Sequence, residues 1–306
     1  MTTSTQRRLS DPEFLALNTV HIATEIDGEV LPLGTGFFYQ FLSTDEVPIP
    51  AIVTNKHVLK DIDNAILVFN PAGPNGEFNL QGQKLPFMVK DFQPLIHNHP
   101  NPAVDLAFIP VSRMFSKLRE RGDPVFATFF RRENFPKPEE WSELTALEDI
   151  VVIGYPDGIY DSWNNLPVLR RGITASHPKI DFEQRPEFLI DAAIYTGSSG
   201  SPVVLYKKND IMLGQDLNLG KDKPRLLGIL YGVFQHLEKG TMECVPIPTA
   251  RKKVPVIHVP NNIGIAIKST QLDGFIPLID KKLSDEREAE LKRQAQVQSS
   301  SDVNRA

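Results

Sequence analysis

The sequence predicts a mostly-β fold, and three observations carry that prediction. Apolar runs are short and are bounded by Gly, Pro, Asn and Asp, the punctuation of strands joined by turns. Proline is frequent, at 25 residues beside 19 glycines, and proline stops helices as well as central strands. Helical spacing with many charges is confined to residues 112–121 and to the tail beyond Ser284.

Taken in order, Asp11-Pro12-Glu13-Phe14-Leu15-Ala16-Leu17 predicts a short helix, with Asp11 as N-cap and Pro12 at its first position. The residues before it read as a disordered arm. Strands are predicted at 20–26, at the aromatic run opened by Gly34-Thr35-Gly36, at 49–54 and at 66–69. A Pro/Gly/Asn loop follows to about Gly82, then an apolar stretch from Pro102 to Pro110. Residues 112–147 are polar, partly helical and Pro-containing, and read as a connection between two β halves. The second half predicts strands at 149–153, 169–176, 188–194, 203–206, 226–234 and 263–267, with 207–224 a polar loop. Ser269 can cap a closing helix over 271–279, and the rest reads as an exposed helix and a frayed tail. The expected division is an arm (1–17), an N-terminal half (18–111), a connection (112–147), a C-terminal half (148–280) and a tail (281–306).

With 306 residues the chain can form one large or two medium domains. Its net charge of −5 offers no basic surface for nucleic acid or anionic lipid. A single cysteine, Cys244, rules out an intramolecular disulfide and reads as a small core residue. Residues 1–11 lack the apolar stretch of a signal peptide, and no run reaches membrane-spanning length. A cytoplasmic location is therefore expected.

Chemistry concentrates at Gly197-Ser198-Ser199-Gly200-Ser201-Pro202, between two strand-like runs. Glycine-bracketed serine on a tight turn combines an oxygen nucleophile with backbone N–H groups able to hold an oxyanion. By itself such a turn is also an ordinary hairpin, so a base and an orienting acid are needed. His57 ends a buried strand and can be a core histidine or a general base, since imidazole titrates near neutral pH. Asp105, embedded among Val104, Leu106 and Ala107, must accept hydrogen bonds from amides or from an imidazole to be tolerated there. Asp61 and Asp63 fall in a solvated turn. His97 and His99 have a His-x-His spacing in a Pro/Asn loop without Cys or acidic partners, so no metal site is expected.

The order His57, Asp105, Ser199 resembles the chymotrypsin-like (trypsin-fold) serine proteases, and most of all the HtrA/Deg protease domain. The resemblance rests on Gly34-Thr35-Gly36-Phe37, Thr54-Asn55-Lys56-His57-Val58, Val104-Asp105-Leu106-Ala107, Gly154-Tyr155-Pro156-Asp157-Gly158, Asp191-Ala192-Ala193-Ile194 with the serine turn, and Ile263-Gly264-Ile265-Ala266-Ile267. It implies two six-stranded antiparallel β-barrels with the active site between them. It also implies Ser199 as nucleophile, His57 as general base and Asp105 as the group orienting the imidazole. The N–H groups of Gly197 and Ser199 would form the oxyanion hole, and no cofactor would be needed. Ala193 would lie at the base of the specificity pocket and the strand from Leu230 through Tyr231 to Gly232 at its wall, favouring a small or medium apolar side chain. Asp191 would be structural.

Two departures matter. Digestive-type relatives carry aspartate immediately before the serine, where it pairs with a new N-terminus; here that position is Ser198, so activation by N-terminal insertion is not expected. About 27 residues follow Ile279, so the PDZ domain usual in HtrA proteins is not expected. The implied function is a serine endopeptidase acting on protein or peptide substrates, with gating by a regulatory partner expected. The competing expectation is a catalytically silent or partner-gated binding module on the same fold.

Overall fold

A computed structural model describes residues 9–74, 76–78, 83–205, 224–239 and 256–303. The arm before residue 9, the 207–224 loop except its last residue, and Cys244 lie outside these residues. The short helix forms as α1 (Asp11–Ala16), but its N-cap is Ser10, not Asp11. The backbone N–H of Ser10 donates to the Glu13 carboxylate at 2.7 Å, and the Ser10 hydroxyl meets the same carboxylate at 2.8 Å. This reciprocal cap outcompetes a start one residue later.

The N-terminal half is β1 (Thr19–Ile26), β2 (Glu29–Leu42), β3 (Pro48–Thr54), β4 (Ala65–Pro71), β5 (Leu85–Val89), β6 (His97–Asn98), β7 (Ala107–Pro110) and β8 (Val125–Phe126), with helix α2 (Ser112–Glu120) between the last two. Asp27 and Gly28, both at positive φ, form the two-residue turn of the β1–β2 hairpin. The strands hydrogen-bond in the order β5-β4-β1-β2-β3-β7-β6, with β8 added to β4. Among the described residues this is an eight-stranded sheet whose end strands β5 and β6 are not paired, so closure into the second six-stranded barrel implied by the resemblance is not shown. Strand β6 is only two residues long, because Pro94 and Pro100 flank it and proline cannot donate to a ladder. Side-chain packing joins the two edges instead: Val89 and Phe92 share one apolar cluster with Ala107 and Ile109 of β7.

The C-terminal half does close. Strands β9 (Asp149–Gly154), β10 (Val168–Thr174), β11 (Glu187–Asp191), β12 (Pro202–Leu205), β13 (Arg225–Lys239) and β14 (Val256–Lys268) form the cycle β10-β11-β14-β13-β12-β9. Each run expected to be a strand forms one within its described residues, although the run at 169–176 ends at Thr174 and the run at 188–194 leaves the ladder after Asp191.

A third apolar cluster unites the halves. Phe37, Tyr39, Phe41 and Phe108 from the first, with Phe130 of the connection, pack with Ile153, Val204, Ile229, Ile267 and Phe275 from the second. Each fully buried aromatic or branched side chain contributes about 2 kcal/mol, so this seam fixes how the halves meet. The connection between them, with α3 (Pro138–Glu143), is tied to both. Phe130 exchanges backbone hydrogen bonds with Gln40 and Phe38 at 2.8 and 3.0 Å, and Glu140 pairs with Arg225 of β13 at 2.7 Å. After β14 the chain makes a 3₁₀ turn (Ser269–Phe275) where the short helix over 271–279 was expected, and then one helix, α4 (Ile276–Val303), which includes the expected exposed helix. Asp280 and Arg287 anchor α4 to the β2–β3 loop through Thr44 and Asp45.

Candidate active site

His57 opens a 3₁₀ turn (His57–Leu59) three residues beyond the end of β3. Asp105 stands two residues before β7, not within a strand. Strands β3 and β7 are paired, with Thr54 opposite Ala107, so the two side chains emerge side by side. Nδ1 of His57 lies 2.5 Å from Oδ2 of Asp105, and the His57 backbone N–H reaches Oδ1 at 3.2 Å. Burial pushes the Asp105 carboxyl up, but the His57 ring bond, its charge and the amides of His57 and Lys56 outweigh this and hold it below the ordinary carboxylate range. With Nδ1–H given to the carboxylate, Nε2 is left as an acceptor. The imidazole is 45% exposed, so that acceptor is reachable.

Ser199 is half-buried on the turn between β11 and β12. Gly197 and Gly200 sit at φ of 80° and 85°, the left-handed region that glycine enters without penalty. A Cβ on Gly200 would run into the Thr35 carbonyl and Thr54 Oγ1. The turn is braced against the N-terminal sheet at Thr35. Its N–H donates to the Ser199 carbonyl at 2.9 Å, and its hydroxyl donates to the Gly197 carbonyl at 2.9 Å while accepting from Tyr155 N–H at 3.1 Å. A Cβ on the neighbouring Gly34 would meet both Val58, beside His57, and the Ser199 carbonyl. The segments bearing His57 and Ser199 therefore converge on Gly34-Thr35.

Backbone donors of the turn divide into two groups. The N–H groups of Ser198, Gly200 and Ser201 are used internally, on the carbonyls of Tyr195, Leu230 and Ser198. Those of Gly197 and Ser199 have no acceptor among the described residues, nor does Ser199 Oγ have a hydrogen-bond partner there. The Thr196 carbonyl accepts from Asp157 N–H at 2.6 Å. In a trans peptide the next N–H points the opposite way, so the Gly197 N–H faces away from the 155–158 loop. Asp157 holds this arrangement at φ 47°, an uncommon conformation for a residue other than glycine.

The residues expected around the specificity pocket separate. Leu230 is buried and packs with Ile194, both closing over Gly264. Tyr231 points to the opposite face, into the seam between the halves. Burial and the Glu187 carboxylate push its hydroxyl up to about 12. Ala193 is exposed, its carbonyl accepting from Arg170 at 2.6 Å, Gly232 is half-buried, and Asp191 is exposed at the end of β11. The His97–His99 pair is held by other groups: Lys282 Nζ meets His97 Nε2 at 2.9 Å, and His99 Nε2 donates to the Gln271 carbonyl at 3.1 Å. Among the described residues, no three His, Cys, Asp or Glu side chains gather as a metal would require.

Residue type alone did not single out Thr35, Asp157 or Arg170. For Arg170 a signal existed: in the dipeptide Arg170-Arg171 on a strand, period two must turn one guanidinium inward.

The trypsin-like peptidase domain family matches residues 34–211, more than half of the chain. No curated protein sequence matches. Among solved structures, the active form of the Rv3671c protease from M. tuberculosis is 17% identical, with 86% of this chain and 81% of that one covered and a TM-score of 0.42. The HtrA-type protease AlgW, bound to a decapeptide, is 14% identical, with 89% and 68% covered and a TM-score of 0.46. On the strength of the family match, this chain belongs to the trypsin-like peptidase domain family.

Proposed function

We propose that the chain is a serine endopeptidase using Ser199, His57 and Asp105. The observation that carries this reading is the His57–Asp105 bond, which leaves Nε2 as an acceptor, beside a serine turn whose Gly197 and Ser199 amides are unclaimed. Ser199 Oγ attacks the scissile carbonyl while His57 Nε2 takes its proton. The two amides hold the oxyanion, and each such donor contributes about 100-fold or more to the rate. His57 then gives the proton to the leaving amine, and an acyl-enzyme remains. Water adds next, losing a proton to His57, and the ester bond to Ser199 breaks to release the acid. Asp105 stabilises the imidazolium in both halves of the cycle.

Ala193 and Gly232, the members of the expected specificity pocket that reach the surface there, carry no charge, which favours a small or medium apolar side chain before the cleaved bond. Among the described residues Ser199 Oγ is not hydrogen-bonded to His57, and in this reading the contact tightens when substrate binds. The test is hydrolysis of a peptide library by the wild type and by Ser199→Ala. Cleavage after apolar residues, lost in Ser199→Ala, is expected. Cleavage that survives the substitution would overturn the assignment.

A further inference from the structure

Strand β10 carries an inverted pattern. Leu169 and Ile173 face outward, while Arg170 shares the inward face with Val168, Gly172 and Thr174. The Arg170 side chain runs under the serine turn. One nitrogen, Nη1, donates to both ends of the segment that carries Gly197: to the Ala193 carbonyl at 2.6 Å and to Ser198 Oγ at 2.9 Å. Ser198 is 1% exposed and immediately precedes Ser199. Its Oγ also accepts from Tyr195 N–H at 3.4 Å, so one hydroxyl gathers the whole loop.

The rest of the guanidinium is idle. Nε and Nη2 are enclosed and have no hydrogen-bond partner among the described residues. Burial pushes the group down to about 10, against the opposing fields of Asp157 and Tyr195. An enclosed cation with three of its five donors unpaired is destabilising, and an aliphatic side chain would pack there more favourably. A residue kept at such cost is explained by what its two satisfied donors do.

We propose that Arg170 is a positioning residue that pins the 193–198 segment to the barrel and so holds the Gly197 and Ser199 amides in oxyanion-binding geometry. This rests on the reading of Ser199 as the nucleophile. The arrangement supplies a cation from within the folded chain, at the residue before the serine. In digestive-type relatives a new N-terminus reaches an aspartate at that position. Here the acceptor is a neutral hydroxyl and the cation is part of β10, so the pin is in place without proteolytic activation.

The experiment compares wild type, Arg170→Met, Arg170→Lys and Ser198→Ala by two readouts. The first is amide hydrogen exchange, followed by mass spectrometry, of peptides spanning 193–201. The second is the rate of labelling by a fluorophosphonate probe. In Arg170→Met, exchange across 193–201 should rise at least about 10-fold, with β9 and β12 unchanged, and labelling should slow about 100-fold. Arg170→Lys, which keeps the charge but not the fork, should recover part of both. If Arg170→Met does not fold, Ser198→Ala removes one acceptor while leaving the Ala193 bond, and about a 10-fold slowing is expected. Exchange across 193–201 unchanged in every variant would overturn the proposal. So would equal losses of protection throughout the barrel with labelling intact, the mark of a merely structural arginine. A wild type that never labels, with exchange still rising in Arg170→Met, would leave the pin standing and remove the nucleophile assignment instead.

Discussion

Acid should weaken this protein through one buried imidazole. His21 on β1 is 7% exposed and packs against Tyr155 and Tyr160 at ring distances of 4.9 and 5.1 Å, and its Nε2 has no partner among the described residues. Burial, with a smaller contribution from Lys84, pushes its pKa from 6.5 down to about 4. The folded state thus resists a proton that the unfolded chain accepts. The stabilisation is complete above pH 6.5 and is lost as pH falls toward 4. The two values give a loss of about 2 kcal/mol by pH 5 and about 3 kcal/mol by pH 4. Urea denaturation of the wild type and of His21→Phe at pH 7.5, 5 and 4 measures it. The phenyl ring keeps the ring contacts and cannot titrate, so its packing cost is the same at each pH and cancels from the slope. The wild type should lose about 2–3 kcal/mol more than the variant over this range. Parallel losses would refute the reasoning. His21 is the cross-strand neighbour of Thr35, so softening here reaches the brace of the serine turn.

Two further predictions concern that brace. Thr35→Val keeps the shape of the side chain but strands the Gly197 carbonyl and the Tyr155 N–H. Stability should fall by about 2 kcal/mol in chemical denaturation, and fluorophosphonate labelling should slow; an unchanged midpoint would contradict the role given to Thr35. Gly200→Ala forces a side chain into the left-handed region and against the Thr35 carbonyl. It should cost about 3 kcal/mol, whereas alanine at the solvent-facing Gly122, also at positive φ but with nothing near its Cβ position, should cost about 1 kcal/mol.

The features most legible in the sequence were those set by local chemistry. Strands announced themselves because short apolar runs ended at Pro, Gly and Asn, and the serine turn because only glycine serves at 197 and 200. Spacing said nothing about the brace at Thr35 or about Arg170, because both act through contacts between distant segments: Thr35 with Gly197, and Arg170 with Ala193 and Ser198. The lack of pairing between the ends of the N-terminal sheet was hidden for a related reason. Whether β5 and β6 pair depends on the path of the 90–102 loop, and its prolines limit β6 without showing where the edge then lies. Ser10 displaced Asp11 as cap because the Glu13 carboxylate reaches back to it, a pairing three residues long that the sequence did contain.

The central claim is that Ser199 is a nucleophile activated by His57 beside a formed oxyanion hole. Fluorophosphonate labelling of the wild type, Ser199→Ala and Ser201→Ala, read by intact mass, tests it most directly. Ser201 Oγ is buried without a partner among the described residues, so its removal leaves the turn in place. One adduct on the wild type and on Ser201→Ala, and none on Ser199→Ala, is the predicted result. An adduct that persists in Ser199→Ala, or a folded wild type that takes none even in the presence of peptide substrate, would contradict it.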